Sequence, residues 1–216
     1  MKIIKGHYRM KQARPDVFAA RNLNEDMRRN LRALVTCILP VRHNDSVIFF
    51  CKLRERSYGD FDLRCALAIL MMFSEVAVFN GPPKSATFLI DGSGTSLKHI
   101  MKMKPNLLKM IAEYIQNYFP IRLGNVHILN TGFPTRMLFK MVLPFVKPEM
   151  AALIHLHSIG MDMETFYDQW IPKRCLPKEY GGELDSVEVY NRMCTEELES
   201  LQWFFDAELL QRTIPT

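Results

Sequence analysis

The residues whose types and spacing come nearest to chemistry are Asp91-Gly92-Ser93-Gly94-Thr95. They form a glycine-spaced loop behind an apolar run, the setting in which backbone N–H groups cradle phosphate. Each specific pattern fails. A P-loop needs a Gly-Lys-Ser/Thr ending that is missing, and a dinucleotide fingerprint needs a glycine where Leu97 stands. Ser93 is no nucleophile elbow, because its glycines sit one position too close. His155 and His157 alternate and would point to one side of a strand, but no carboxylate or cysteine lies near them at ligand spacing. Cys37, Cys51, Cys65, Cys175 and Cys194 are scattered, with no C-x-x-C pair, which reads as reduced thiols. The loop is then a glycine turn between strand and helix, and the histidines are core or surface residues. With no nucleophile, base and oxyanion set, the expectation is no catalytic residue, no metal, no cofactor and no enzyme.

Apolar shape carries more. The chain holds 14 methionines, flexible side chains that line adaptable cavities as well as ordinary cores. Met71, Met72, Met110, Met137 and Met141 fall on segments expected to face one another. Residues 131–146, TGFPTRMLFKMVLPFV, start a helix at Pro134 and end it at Pro144. At ~100° per residue, Met137, Leu138, Met141, Val142 and Phe145 share one face, and Arg136 and Lys140 share the opposite one. Such a helix suits a lid over an apolar pocket that also touches phospholipid. An ordinary surface helix packed on the core would look the same.

The elements that position these residues follow from pattern. VTCIL (35–39) and VIFFCK (47–52) read as strands joined by a turn at His43-Asn44-Asp45. Residues 60–79 form a helix capped by Asp60 or Asp62 and stopped at Asn80-Gly81. Its stretch from Cys65 to Phe73 is apolar on every side and must be covered on both flanks. Residues 86–91 and 125–130 are further strands. Pro105 opens a helix to 119 with Leu107, Leu108, Met110, Ile111, Tyr114, Ile115 and Tyr118 as its stripe. Strand, helix, strand, helix, strand argues for an α/β fold with at least part of the sheet parallel; the family resemblance described below implies a mixed, mostly parallel sheet of about five strands flanked by helices.

The 216 residues suffice for one domain with a real core. Nine residues, Cys65 to Phe73, form the longest apolar run, too short to cross a bilayer, which takes ~20. No stretch near the start has signal-peptide length, and a cytoplasmic protein is expected. Net charge is +5, with Lys2, Lys5, Arg9, Lys11, Arg14, Arg21, Arg28, Arg29 and Arg32 crowded near the start. That excess could favour anionic membranes, or be a solvated helix face. No nucleic-acid motif accompanies it, so no nucleic-acid partner is expected.

Several ordered motifs add a family. IDGSGTSLKHI (90–100), YFPIRLGNVHILNTGFPTRMLFKMVLPFVKPEM (118–150) and LPKEYGGEL (176–184) resemble the CRAL-TRIO lipid-binding domain, in its animal tocopherol-transfer and retinaldehyde-binding branch. The likeness runs from about Ile3 to Phe204. It implies a sheet flooring a hydrophobic cavity under a mobile helical gate, and a monomer that carries a tocopherol-, retinoid- or phospholipid-like molecule between membranes, touching them transiently. Residues 1–32 would be the remnant of an N-terminal helical region, and 33–216 the lipid-binding domain with a C-terminal helical extension. Positions matching the family's cavity lining are Leu67, Leu70, Ser74, Ile90, Ile115, Phe119, Ile121, Leu123, Phe133, Leu138 and Val142. The gate matches 131–146, with Phe133, Arg136, Met137, Lys140 and Met141 as its membrane contacts.

The branch binds phosphoinositide headgroups through basic residues, and Arg122 matches one of them. Gly124, Glu149 and Leu153 stand where further cations would be, which implies a weakened headgroup site. Two rival readings remain: a membrane or protein interaction module that keeps the fold without transferring anything, and a nucleotide-dependent enzyme using Asp91 to Thr95.

Overall fold

The computed structural model describes residues 2–14, 17, 21–55 and 57–213. Five strands, β1 (Leu34–Ile38), β2 (Ser46–Leu53), β3 (Ser85–Asp91), β4 (Leu123–Leu129) and β5 (Ile154–Leu156), form one sheet in that order. β1 and β2 are an antiparallel hairpin, and the remaining neighbours are parallel. At the hairpin turn Asn44 and Asp45 have φ of 51° and 61°, left-handed values that hairpin turns require and Asn and Asp tolerate.

The helices with described bounds are α1 (Lys2–Ala13), α2 (Glu25–Ala33), α3 (Leu63–Phe79), α4 (Leu97–Lys102), α5 (Pro105–Asn117), α6 (Phe133–Val142), α7 (Pro148–Ala151), α8 (Met163–Gln169), α9 (Val187–Ser200) and α10 (Gln202–Thr213). Because strands β2 to β5 advance in one direction across the sheet, three right-handed crossovers all fall on the same face. α3, then α4 and α5, then α6 and α7 therefore stack on one side. The chain after β5 covers the other.

α3 starts where its sequence says it should. The Asp62 carboxylate accepts from the N–H groups of Arg64 and Cys65, and Gly81 at φ 124° ends the turn beyond Asn80. Met71, Met72 and Phe73 are buried at 1% exposure or less, as a helix apolar all round demands. Behind α3, Lys11 of α1 and Arg21 ion-pair with Glu75. Burial opposes the Glu75 charge, but His7, Arg21 and Lys11 outweigh it and hold its pKa down at about 2. α5 buries Leu108, Met110, Ala112 and Tyr114. Ala112 lies outside the expected stripe. The Tyr114 hydroxyl meets His7 Nδ1 at 3.0 Å, so α5 is covered by α1 as well as by the sheet.

The free edge of β1 is closed by α9. Asn191 Oδ1 accepts from Thr36 N at 2.9 Å, and Cys194 Sγ from Ile38 N at 3.3 Å, which denies the edge to another chain.

The loop after β3 is structural. Asp91, 3% exposed, accepts from Ser93 N, Asn130 Nδ2 and the Tyr180 hydroxyl at 2.8–2.9 Å, and pairs with Lys52 at 3.1 Å. A side chain at Gly94 would meet Leu53 O at 1.7 Å, and one at Gly182 would meet Leu176 O at 1.9 Å. The two glycine-bearing motifs are thus tied to each other, through Asp91 and Tyr180, across the back of the sheet.

Candidate functional site

Parallel register places Cys51, Ile90, Ile128 and Leu156 side by side across β2, β3, β4 and β5. The next row, Phe50, Leu89 and His127, points to the opposite face and is sealed at 0%, 0% and 1% exposure. The first row is not sealed: Cys51, Ile90 and Ile128 keep accessible surface, although helices lie over that face. Burial nevertheless pushes the Cys51 thiol up to about 12.

α6 lies over this face. Its Leu138, Met141 and Val142, with Phe145 beyond, pack half-buried against the cluster of Leu53, Ile100, Met103 and Leu108, together with Cys51, Leu63 and Ala66. Both ends of α6 are fastened. At its start, Thr131 donates from N and Oγ1 to His157 O, and Thr135 Oγ1 donates to Gly92 O at 3.2 Å. Asn130, just before, holds φ 52°. At its end, Gln116 of α5 donates to Phe145 O at 3.0 Å and accepts from Lys147 N at 2.7 Å.

The residues expected to line a cavity fall into three groups. Leu70, Ile90, Leu138 and Val142 are half-buried on the covered face, with Leu67 sealed at 3%. Ile115, Phe119, Ile121 and Leu123 instead border an open cleft of about 960 Å³ at the starts of β3 and β4. Arg122, Gly124, Glu149 and Leu153 line that same cleft, so the four headgroup positions come together with Arg122 as the cation among them, and Lys84 also lines the cleft. Phe133 stands apart. It is 72% exposed, because it occupies the first turn of α6 on the side away from the sheet. Arg136, Met137 and Lys140 are exposed with it, while Met141 turns inward. Met137, at 41% exposure, departs from the expected apolar face.

Polar groups near the covered face are few. Ser74 is fully buried, and its hydroxyl donates to Met71 O at 2.8 Å within α3. Sequence reasoning missed Cys51, Ile128 and Gln116. The first two become neighbours of Ile90 only once strand register is known, and Gln116 has no local signature.

On the back face His127 stacks on His155 and His157, with ring centroids 5.0 and 5.4 Å apart, and Trp170 closes over the set at 4.2 Å from His155. His127 Nδ1 lies 3.2 Å from His157 Nε2. Burial, with the other two histidines, pushes the His127 pKa down to about 3. No group of three or more His, Cys, Asp or Glu among the described residues could hold a metal ion. The described residues also include no helix long and apolar enough to cross a membrane.

Comparison with known proteins places this geometry. Clavesin-1 of Xenopus laevis is 35% identical over 96 residues, which cover 44% of this chain and 28% of that protein. The alpha-tocopherol transfer protein-like protein of Mus musculus is 36% identical over 102 residues, covering 46% and 29%. The matched stretches thus span under a third of these relatives' length. The crystal structure of Sfh5 superposes with a TM-score of 0.51 at 15% identity, covering 73% of this chain and 59% of that one, a likeness of fold. The model of the CRAL/TRIO domain matches residues 32–182. The match takes in the whole sheet, the α6 region and the Leu176–Gly182 motif, and the chain belongs to the CRAL/TRIO domain family.

Proposed function

We propose that the chain carries a hydrophobic molecule between the sheet and α3, α5 and α6, and exchanges it at membranes when α6 swings away. The row of Cys51, Ile90 and Ile128 supports this most directly, since it lies on the face that α6 covers and is only partly buried there. Burial supplies the affinity at ~25 cal/mol per Å². A ligand burying ~400 Å² gains ~10 kcal/mol before ordering costs. Tocopherol-, retinoid- and phospholipid-like molecules are the candidate class, and the name of the mouse relative favours the first. The steps are contact of the outer α6 surface with a membrane, release of its fastened ends, entry of the ligand and closure. The cleft around Arg122 would be at most a weak anionic headgroup site, because Glu149 shares it.

Transfer of a fluorescent lipid between donor and acceptor vesicles tests the reading. The chain should accelerate transfer above the spontaneous rate, and Met141→Asp, which puts a charge beneath α6, should reduce that gain about tenfold. Transfer no faster than the spontaneous rate would favour the interaction module that keeps the fold without carrying a lipid.

A further inference from the structure

Three of the chain's six histidines meet on the back face of the sheet. His127 comes from β4, His155 from β5 and His157 from just beyond it. Residues two apart on an extended segment send their side chains to one face, and register sets His155 beside His127. The rings of His155 and His157 lie within 21° and 30° of parallel to that of His127.

The surroundings do not offset a positive charge on this stack. β3 contributes Leu89 beside His127, and β4 contributes Asn125, whose Oδ1 lies 3.3 Å from His155 Nε2. Phe166 of α8 and Trp170 just after it cover the rings. The α8 carboxylates Glu164 and Asp168 and its cap Asp162 are exposed; Glu164 pairs with Lys173, and Asp162 accepts from the first turn. From α6, Arg136 reaches Ser158 Oγ at 3.4 Å. Burial lowers the pKa of all three histidines, and for His127 and His157 the charge of their neighbours in the stack adds to it.

His127 Nδ1 and His157 Nε2, 3.2 Å apart, have one hydrogen to share. One nitrogen donates and the other must hold a lone pair, so the bond breaks once both rings are imidazolium. Two cations would then face each other at that distance with no carboxylate between them. His157 is also what fastens the start of α6. Its carbonyl accepts from Thr131 N and Oγ1 at 2.9 and 2.8 Å, and its neighbour Ser158 meets Arg136.

We propose that the stack is an acid-released latch on the start of α6: protonation of His127 and His157 drives the His157 ring out from under α8, draws its carbonyl off Thr131 and frees the first turn of the helix. The closed latch excludes protons that the open one binds. It is therefore fully favoured above about pH 6.5 and loses about tenfold per pH unit for each histidine below that. Faster loss of a carried apolar molecule in acid follows, and that consequence rests on the carrier reading; the latch itself does not.

Amide exchange of the full chain between pH 7 and pH 5, expressed as protection relative to the intrinsic rate, tests the latch. Protection of 131–136 should fall about tenfold further than that of β2 and β3. His157→Gln keeps a hydrogen-bonding side chain that does not titrate, and should abolish this excess. Equal losses in 131–136 and in β2 and β3 would overturn the latch, as would an excess that persists in His157→Gln. If that variant does not fold, the parent series alone decides the matter. In parallel, release of a fluorescent lipid from the chain to cyclodextrin should quicken about tenfold over the same range. A chain that holds no lipid at pH 7 would sink the carrier reading, and exchange would still decide the latch. A chain that holds lipid and releases it at one rate throughout would overturn the latch's part in carriage.

Discussion

Gln116 donates from Nε2 to the carbonyl of Phe145 at 3.0 Å, joining α5 to the turn that follows α6. The same side chain accepts from Lys147 N and also donates to Ala112 O at 2.8 Å. A single amide therefore clamps two backbone groups of the segment that must move if α6 opens, and it does so at the wall of the cleft around Arg122.

Gln116→Leu keeps the side-chain bulk and removes both clamping bonds, each worth ~1 kcal/mol. Amide hydrogens of 138–147 should exchange about tenfold faster in the variant, while those of β2 and β3 stay at the parent rate. Unchanged exchange in 138–147 would show that packing against Leu53 and Ile100, rather than Gln116, holds this segment.

A bulky residue in the proposed carrier site should separate carriage from folding. Ile90→Trp places a large ring in the partly buried row beside Cys51 and Ile128. Lipid uptake should fall more than tenfold, with a change in stability within ~2 kcal/mol by denaturant titration. A severe loss of stability with intact uptake would mean that the row is close-packed and the ligand lies elsewhere.

The histidine stack gives the fold a pH dependence with a definite sign. His127 is buried as the neutral form, with its pKa pushed down to about 3, against ~6.5 in an unfolded chain. Between those values the unfolded state binds a proton that the folded state does not, so stability falls as pH drops below ~6.5. Burial lowers the pKa values of His155 and His157 as well. Thermal unfolding should weaken by ~1 kcal/mol per pH unit between pH 6 and 5. His127→Gln should flatten that slope, and a slope equal to the parent's would assign the proton uptake to other groups.

How much of this was legible beforehand depends on whether the signal is local. Asp62 as a cap, Asn44-Asp45 as a turn and the apolar run from Cys65 to Phe73 each act within a few residues, and all three were readable. The inner face of α6 was readable for Leu138, Met141 and Val142, which follow helical periodicity, but Met137 lies at the margin of that stripe and is exposed. Ile128, Leu156 and Gln116 were not readable. Ile128 and Leu156 matter through strand register and Gln116 through a contact 29 residues away. Ser74 shows the converse: its type suggested a ligand contact, and its own helix uses its proton.

The bond between Tyr180 and Asp91 joins the two glycine motifs at 2.8 Å. Asp91→Ala would leave Lys52, Asn130 and Tyr180 without their shared acceptor, and should cost about 3 kcal/mol by denaturant titration. Tyr180→Phe should cost ~1–2 kcal/mol. If both changes cost under ~0.5 kcal/mol, the network does not hold the back face together.

Native mass spectrometry of the chain after incubation with mixed-lipid vesicles and a cell lipid extract, with bound species released and identified, tests carriage most directly. A discrete one-to-one adduct with an apolar molecule, lost in Ile90→Trp, is the expected result. A folded, monodisperse chain that retains no lipid would contradict it.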